Sequence, residues 1–512
     1  MNFGEKFIRL IKDSHHNITT RFILNGLTEA ILLTFSFRQG DAISMLLYLI
    51  YIEPLLVKLG NLLKGLKIGD FNEIDNDYCD DVEIVIEDEN DLLLAVEIFR
   101  KFGTISGAKL NCSKKSKIMG LGPWKNREVW PIPWLKVEKS LKIFGVQIYP
   151  TYKEILDQNW NTLFEKFRKT LYSWNLRSLE SFQQRVDVVQ IFGTSKLWYM
   201  CQVLPLPPKF ANMFENVLKK FIWTGKLEKL ALDETKNSRE EGGLGIVCIR
   251  SKADALFLRQ TCRLLANDEF LSYKHIRYWV GQHLVDALPD LGHGLHANQA
   301  PEYFVHLRKL FAEAHALEVI DVEHLNSVPA KQIYEDFTST FPPPKITTKY
   351  AELPWDDIWS RLNHPVLTSP VRDIMFLLIH NCLPTRDRLL RLNMTDDAMC
   401  PRQDGIEDIE HLFTGCVRSQ VAWAWTRRKV IHLMPDWVTQ YPSDFELLHL
   451  VYEALLNAEI LWLVSHYCNY VWDQKTRHGK NFNINVDKLR TYLQDLYIQN
   501  QTSQNPLAYI PF

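Results

Sequence analysis

The sequence predicts an α+β fold whose β content is confined to roughly the first 150 residues. Two observations carry that prediction. Three short β-rich runs, Thr20 to Asn25, Val82 to Ile86 and Leu141 to Ile148, are interleaved with helical segments before residue 150. Beyond it, apolar residues recur at helical spacing through two long regions separated by a mixed stretch. Taken in order, Phe3, Phe7, Ile8 and Ile11 mark an N-terminal helix. Gly40 and Asp41 open a second helix with apolar residues through Leu56, and Pro54 is placed to kink or end it. Asp91 to Thr104 is amphipathic, with Leu92, Val96, Phe99 and Phe102 on or near one face. Leu141 to Ile148 reads as a single strand with Gly145 inside it. Trp160, Leu163, Phe164, Phe167, Leu171 and Trp174 keep helical spacing, as do Met213, Phe214, Val217, Leu218 and Phe221. Leu204-Pro-Leu-Pro-Pro208 breaks the chain between them. Phe341-Pro-Pro-Pro344 reads as a linker, and from Trp355 the chain is helical and Trp-rich. The expected organisation is 1–150, 151–267, a connector over 268–350, and 351–512.

At 512 residues the chain is too long for one ordinary core. Its 46% hydrophobic and 23% charged residues are those of an ordinary folded protein. A net charge of −2 gives no overall polyanion signal, so any basic surface must be local. It is uneven locally. Ile68 to Ile98 holds twelve acidic residues and no Lys or Arg, whereas Asn161 to Leu230 holds eleven Lys/Arg against five Asp/Glu. This pattern suits either two solvated faces or an acidic metal-binding loop followed by a basic helical region. Nine scattered cysteines and no N-terminal secretory segment point to a reducing, intracellular setting. The apolar stretch Ala42 to Leu56 is short and interrupted by Glu53 and Pro54, so no membrane span is expected.

Four short segments carry chemistry. Arg38-Gln-Gly-Asp-Ala-Ile-Ser44 places a glycine ahead of a helix, where backbone can approach an anionic ligand. Tyr78-Cys-Asp-Asp81 offers a carboxylate pair able to hold divalent metal. Ser106-Gly-Ala108 leads through Asn111 to Lys114, a turn of small residues carrying a lysine. Lys142-Ile-Phe-Gly-Val146 is the fourth.

In this order, over about 110 residues, the four segments resemble those of the reverse transcriptases of LINE-type (non-LTR) retrotransposons. Trp174, Arg185-Val186, Leu204-Pro-Leu-Pro207, Phe221-Ile-Trp223 and Gly242-Gly-Leu-Gly-Ile246 are similar to that family's helical thumb. The resemblance implies a partial polymerase palm followed by a thumb, acting on an RNA template and a DNA primer. It implies Mg²⁺ or Mn²⁺ held by Asp80 and Asp81. Arg38, Gln39, Gly40 and Tyr78 would lie at template and nucleotide, Lys114 would serve the leaving pyrophosphate, and Phe144 and Gly145 would sit near the primer end. A nuclear location is compatible with it.

Two departures shape the expectations. The family takes a further carboxylate from an upstream segment resembling Asp-x-x-Lys-Ala-Phe-Asp, and residues 1–37 offer only Glu5, Asp13 and Glu29, none in such a setting. The chain alone is therefore expected to be inactive, a remnant or a non-catalytic nucleic-acid-binding protein being the alternative. The polar run Asn72 to Asp77 is expected to weaken or shift the first hairpin strand. Near the C-terminus, Leu383-Pro-Thr-Arg-Asp-Arg-Leu-Leu390 and Glu410-His-Leu-Phe413 resemble the family's zinc-binding module, over about 383–425. Its ligand positions fall on Cys400, Gln403, His411 and Cys416. Gln403 is a poor ligand where a thiolate is wanted, which argues against Zn²⁺.

Overall fold

The structure, a computed structural model, describes residues 3–14, 16–23, 26–32, 43–68, 71–78, 81–108, 110–112, 116–224, 227–267, 271–284, 301–316, 328–339, 341–435, 457–501, 507 and 510. The chain divides into two compact units, Met1–Thr151 and Tyr152–Phe512.

The first unit mixes helices with short hairpins. Helix α1 (Glu5–Ser14) buries none of its residues, and β1 (Thr19–Thr20) pairs antiparallel with β2 (Ile31–Leu32). Helix α2 spans Ser44–Leu62 and continues past Pro54. The expectation that this apolar stretch is too short for a membrane span is thus corrected: by length and composition α2 is apolar enough to cross one. A proline removes only one helical hydrogen bond. Ile52, Leu55 and Leu59, on either side of Pro54, are buried and hold the helix across the interruption.

Two hairpins follow, β3 (Leu66–Ile68) with β4 (Phe71–Glu73) and β5 (Asp75–Tyr78) with β6 (Asp81–Ile84). The run Asn72 to Asp77 is therefore paired rather than weak, with Ile74 buried between the two hairpins. Helix α3 (Glu89–Ser106) starts where the Asp88 carboxylate accepts the Asp91 N–H at 2.9 Å. Asp91, itself buried, accepts the Lys64 and Gly65 amides at 3.1 and 3.2 Å. The helix ends on Gly107, at φ +78°. Ser106 Oγ donates to the Phe102 carbonyl and accepts the Ala108 N–H. The Ser-Gly-Ala segment is thus a left-handed helix cap, which a Cβ would disfavour. Ala95 and Ile98 of α3 share a core with Ile52, Leu55, Leu59 and Ile74.

Parallel β7 (Lys117–Ile118) and β8 (Lys136–Val137) follow, with a second small core of Leu92, Ile118, Trp130 and Ile132. The single strand expected over Leu141 to Ile148 is instead a hairpin, β9 (Leu141–Ile143) with β10 (Val146–Ile148). Phe144 and Gly145 both have positive φ, +43° and +87°, as a two-residue type I′ turn requires. Among the described residues every sheet has two strands, so no extended palm sheet is seen in them.

The second unit is helical. In α4 (Tyr152–Asn175), Trp160, Phe167 and Leu171 are buried. They pack beside α7 (Pro208–Ile222), whose Phe214 ring meets Trp160, Phe164 and Phe167 edge-on. The buried Trp160 N–H donates to the Pro205 carbonyl at 3.0 Å, so the Leu-Pro-Leu-Pro break is also a partner. Between them lie α5 (Phe182–Val188), a π-helical turn at Val189–Gly193 and α6 (Trp198–Val203). Buried Arg185 donates to the Phe221 and Leu179 carbonyls and to Asn175 Oδ1, tying α5 to the ends of α7 and α4.

After the short α8 (Leu232–Lys236), α9 (Ile249–Leu265) shares one core with α10 (Leu271–Leu284), α11 (Glu302–Ala316) and α12 (Ala330–Thr338). The segment Phe341-Pro-Pro-Pro344, read as a linker, is docked. Its Pro342 carbonyl accepts from Asn237, and Lys345, opening α13 (Lys345–Lys349), donates its N–H to Glu234. The chain continues through α14 (Trp355–Leu362), α15 (Ser369–Ile379), α16 (Arg386–Arg391), α17 (Gln420–Leu433), α18 (Ala458–His478) and α19 (Val486–Gln501). Gly242, at φ +82°, lies so close to Trp359 that a Cβ would stand 2.4 Å from its indole. Its carbonyl meets His380 Nε2 at 2.8 Å. The Gly-Gly-Leu-Gly-Ile segment is therefore the seat on which α14 and α15 dock.

Candidate functional site

Three places carry candidate function. The first is the acidic hairpin. The β5–β6 register pairs Asp75 with Ile84, Asn76 with Glu83, Asp77 with Val82 and Tyr78 with Asp81. The two carboxylate positions thus fall at the connection: Asp81 opens β6, and Cys79 and Asp80 fall between the strands, outside the described residues. Arg38, Gln39, Gly40 and Lys114 also lie outside the described residues. Val82 and Ile84 pack against the core formed with α2 and α3, which fixes the hairpin to its unit. Phe144 and Gly145 form the β9–β10 turn, with the Phe144 ring partly exposed.

The second is a basic, aromatic face on α4 and the π-helical turn. Lys169, Tyr172 and Leu176, the last just past the end of α4, succeed one another at three- and four-residue spacing and are exposed, as is Arg168 next to Lys169. The Trp174 ring lies 4.7 Å from that of Phe192 in the π-turn, and the Arg177 guanidinium sits 4.3 Å over it. Lys196 reaches back to Thr170 Oγ1. The turn closes on α4 because Gly193 sits against Phe167, where a Cβ would come within 3.0 Å of the ring.

The third is a cysteine–histidine cluster. Cys400 donates its N–H to the Gly405 carbonyl at 2.8 Å, closing a tight turn through Gln403, which has φ +58°. Asp408 accepts the His411 N–H at 2.7 Å, starting the π-helical turn His411–Gly415 that ends at Cys416. Leu412 and Phe413 are buried beneath it, and the Tyr467 hydroxyl of α18 donates to the Phe413 carbonyl. Buried Glu407 accepts from Lys475 of α18 and from the Arg386 amide, anchoring the turn to α16 and α18. These contacts bring Cys400, His411 and Cys416 together, as the sequence spacing suggests. Gln403 is exposed. The carboxylate of the next residue, Asp404, joins the other three, and the four donor atoms lie within 4.8 Å of one another.

The two sulfurs are 3.7 Å apart. His411 Nε2 is cut off from solvent and makes no hydrogen bond, although Asp404 Oδ1 lies 3.2 Å away. Asp404 Oδ2 accepts the Val417 N–H at 2.9 Å, which holds the carboxylate in place. Gly405 leaves the imidazole its room, since a Cβ there would stand 2.9 Å from His411 Nδ1. Burial pushes the Cys400 thiol up to about 12 and raises Cys416 as well. Burial also opposes ionisation of Asp404, but the Val417 amide and the Cys400 thiol outweigh it and hold the carboxyl down to about 2. Two sulfurs, one imidazole and one carboxylate are donors that suit a tetrahedral zinc ion, so the residues fit the metal of the zinc-binding module. The signal in the sequence was the carboxylate immediately after Gln403.

No family model matches this chain. The chain is 30% identical over 279 residues to the Transposon TX1 uncharacterized 149 kDa protein of Xenopus laevis, across 52% of this chain and 21% of that protein. It thus spans about a fifth of the length of the curated relative it matches. Over half its length, this chain is related to a transposon protein.

Proposed function

We propose that the chain is retroelement-derived and descends from the reverse transcriptase of a non-LTR retrotransposon, and that it binds a template–primer duplex. One observation supports this most: Tyr78 pairs with Asp81, so that Asp81 opens the second strand of a hairpin. The similarity to a transposon protein agrees with it. In this reading Asp80 and Asp81 face the reacting phosphates, where divalent metal ions would stabilise the attacking and leaving oxygens. Gln39 and Gly40 lie along the incoming nucleotide, and the Phe144–Gly145 turn lies at the primer end. In the second unit, the α4 face is suited to a nucleic-acid backbone, with Arg168, Lys169, Arg177 and Lys196 supplying charge and Tyr172 and Phe192 supplying stacking surface.

Two-metal chemistry needs a carboxylate beyond the hairpin pair, and no Asp-x-x-Lys-Ala-Phe-Asp-like segment occurs in these 512 residues. The 512-residue chain is expected to bind an RNA–DNA primer-template without extending it. Primer extension with Mg²⁺ or Mn²⁺ tests this. Template-dependent synthesis abolished by Asp80→Ala and Asp81→Ala would overturn the inactivity and keep the lineage.

A second reading, a non-enzymatic nucleic-acid-binding protein, is favoured by the α4 face alone. It predicts binding that ignores Asp80→Ala and Asp81→Ala and does not distinguish a primer end from continuous duplex.

A further inference from the structure

We propose that Cys400, Asp404, His411 and Cys416 bind one zinc ion in a closed tetrahedral site, with the Asp404 carboxylate as fourth ligand. The expectation against zinc rested on Gln403 occupying a ligand position. In the fold Gln403 is exposed at φ +58°, and the next residue, Asp404, brings its carboxylate to the two sulfurs and the imidazole.

Geometry is the first argument. In a tetrahedral zinc site, bond lengths of about 2.3 Å to sulfur place two thiolates about 3.8 Å apart. The two sulfurs here are 3.7 Å apart. Bonds of about 2.0–2.1 Å to imidazole and carboxylate place those atoms about 3.4 Å apart. His411 Nε2 and Asp404 Oδ1 are 3.2 Å apart. These two edges match those of a coordination tetrahedron, and all four donor atoms lie within 4.8 Å of one another.

The orphaned imidazole is the second argument. A buried ring nitrogen with no hydrogen bond costs free energy, and metal ligation satisfies it. Charge is the third. Two thiolates and a carboxylate around Zn²⁺ leave a net −1, the same as three thiolates and a neutral histidine. Exchanging a thiolate for a carboxylate therefore changes the softness of the site and not its charge. With all four ligands from the protein, the site has no open position, and its role is to pin the Cys400–Gly405 turn to the His411–Gly415 turn. The Val417 amide, bonded to Oδ2, plays the orienting part that outer-sphere partners play in metal sites. The inference stands apart from the polymerase reading and does not depend on it.

The test is metal content of the full chain purified under reducing conditions, followed by replacement with Co²⁺. The expected result is one zinc per chain, and a cobalt form showing tetrahedral visible bands with thiolate-to-metal charge transfer. Asp404→Asn keeps the shape and the Val417 contact open to an amide oxygen, and is expected to weaken zinc at least about tenfold. Asp404→Ala and Cys416→Ser are expected to weaken it by about a hundredfold or more. Gln403→Ala is expected to leave it unchanged, and Asp404→Cys to tighten it. Far-UV circular dichroism on each variant separates ligand loss from unfolding. The proposal is overturned if folded, reduced wild type holds no zinc, or if Asp404→Asn and Asp404→Ala both bind it as wild type does. A Cys400–Cys416 disulfide that resists mild reduction in the purified chain would also overturn it.

Discussion

The two units of this protein keep their apolar residues in very different ways. In the first, α1 buries nothing and α2 buries three residues while Met45, Leu46, Leu49 and Val57 stay exposed. Its cores are two small clusters beneath two-stranded hairpins. In the second, α18 alone buries eleven of its 21 residues, and aromatic rings from α4 and α7 interlock. The polymerase-like segments of the first unit are mainly backbone fixtures, such as the Gly107 cap and the Phe144–Gly145 turn. Those of the second are packing fixtures, such as Arg185, Trp223 and Gly242, which seats Trp359. A backbone fixture can persist on a thin core, whereas a packing fixture requires the whole core around it.

The comparison is sharpest where truncation removes packing. Phe214→Ala, which removes a ring met edge-on by three others, should cost about 4 kcal/mol in chemical denaturation followed by near-UV circular dichroism. A loss below about 1 kcal/mol would mean the α4–α7 core is loosely packed.

Acid comes next and acts on the second unit. Burial lowers His380 and His466 to about 4, the hydrogen bond to the Gly242 carbonyl only partly opposing it at His380. Trp359 and Phe376 flank His380, and Trp462 and Tyr492 flank His466. Between pH 6.5 and 4 the unfolded chain binds protons that the folded chain refuses. Stability therefore rises with pH across that window and is lost as pH falls through it. The expected loss is about 3 kcal/mol per histidine. A denaturation series over that range should show the slope, reduced in a His466→Gln variant.

Gly242→Ala should cost about 2 kcal/mol, since it meets both a left-handed backbone and the Trp359 indole. Phe7→Ala, on the exposed α1, should cost less than about 0.5 kcal/mol in the same assay. If Phe7→Ala proved as damaging as Phe214→Ala, the contrast between the units would collapse.

Local periodicity made α2, α3, α4 and α7 legible, and the Tyr78–Asp81 spacing made the hairpin legible, because each depends on residues close in sequence. What was missed depends on distant contacts or on unusual backbone. The β9–β10 hairpin reads as one strand in the sequence because Phe144, a non-glycine residue, takes positive φ beside Gly145. The helices over 268–350 have their apolar faces covered by α9, so their own patterns are faint. Asp404 is hard to single out in the sequence because its approach to His411 depends on the tight turn that Cys400 closes onto Gly405. Conversely, the Gly242-Gly-Leu-Gly-Ile246 pattern is legible in the sequence, whereas the close approach of Gly242 to Trp359 is visible only in the structure.

The most direct test is equilibrium binding of a fluorescent RNA–DNA primer-template to the 512-residue chain across a salt series, with charge reversal on the α4 face. The account predicts affinity that falls linearly with the logarithm of salt concentration. It predicts a further loss of about tenfold or more when Lys169, Arg177 and Lys196 are changed together to Glu, with the fold intact. Binding that is absent at low salt, or indifferent both to salt and to those three changes, would contradict it.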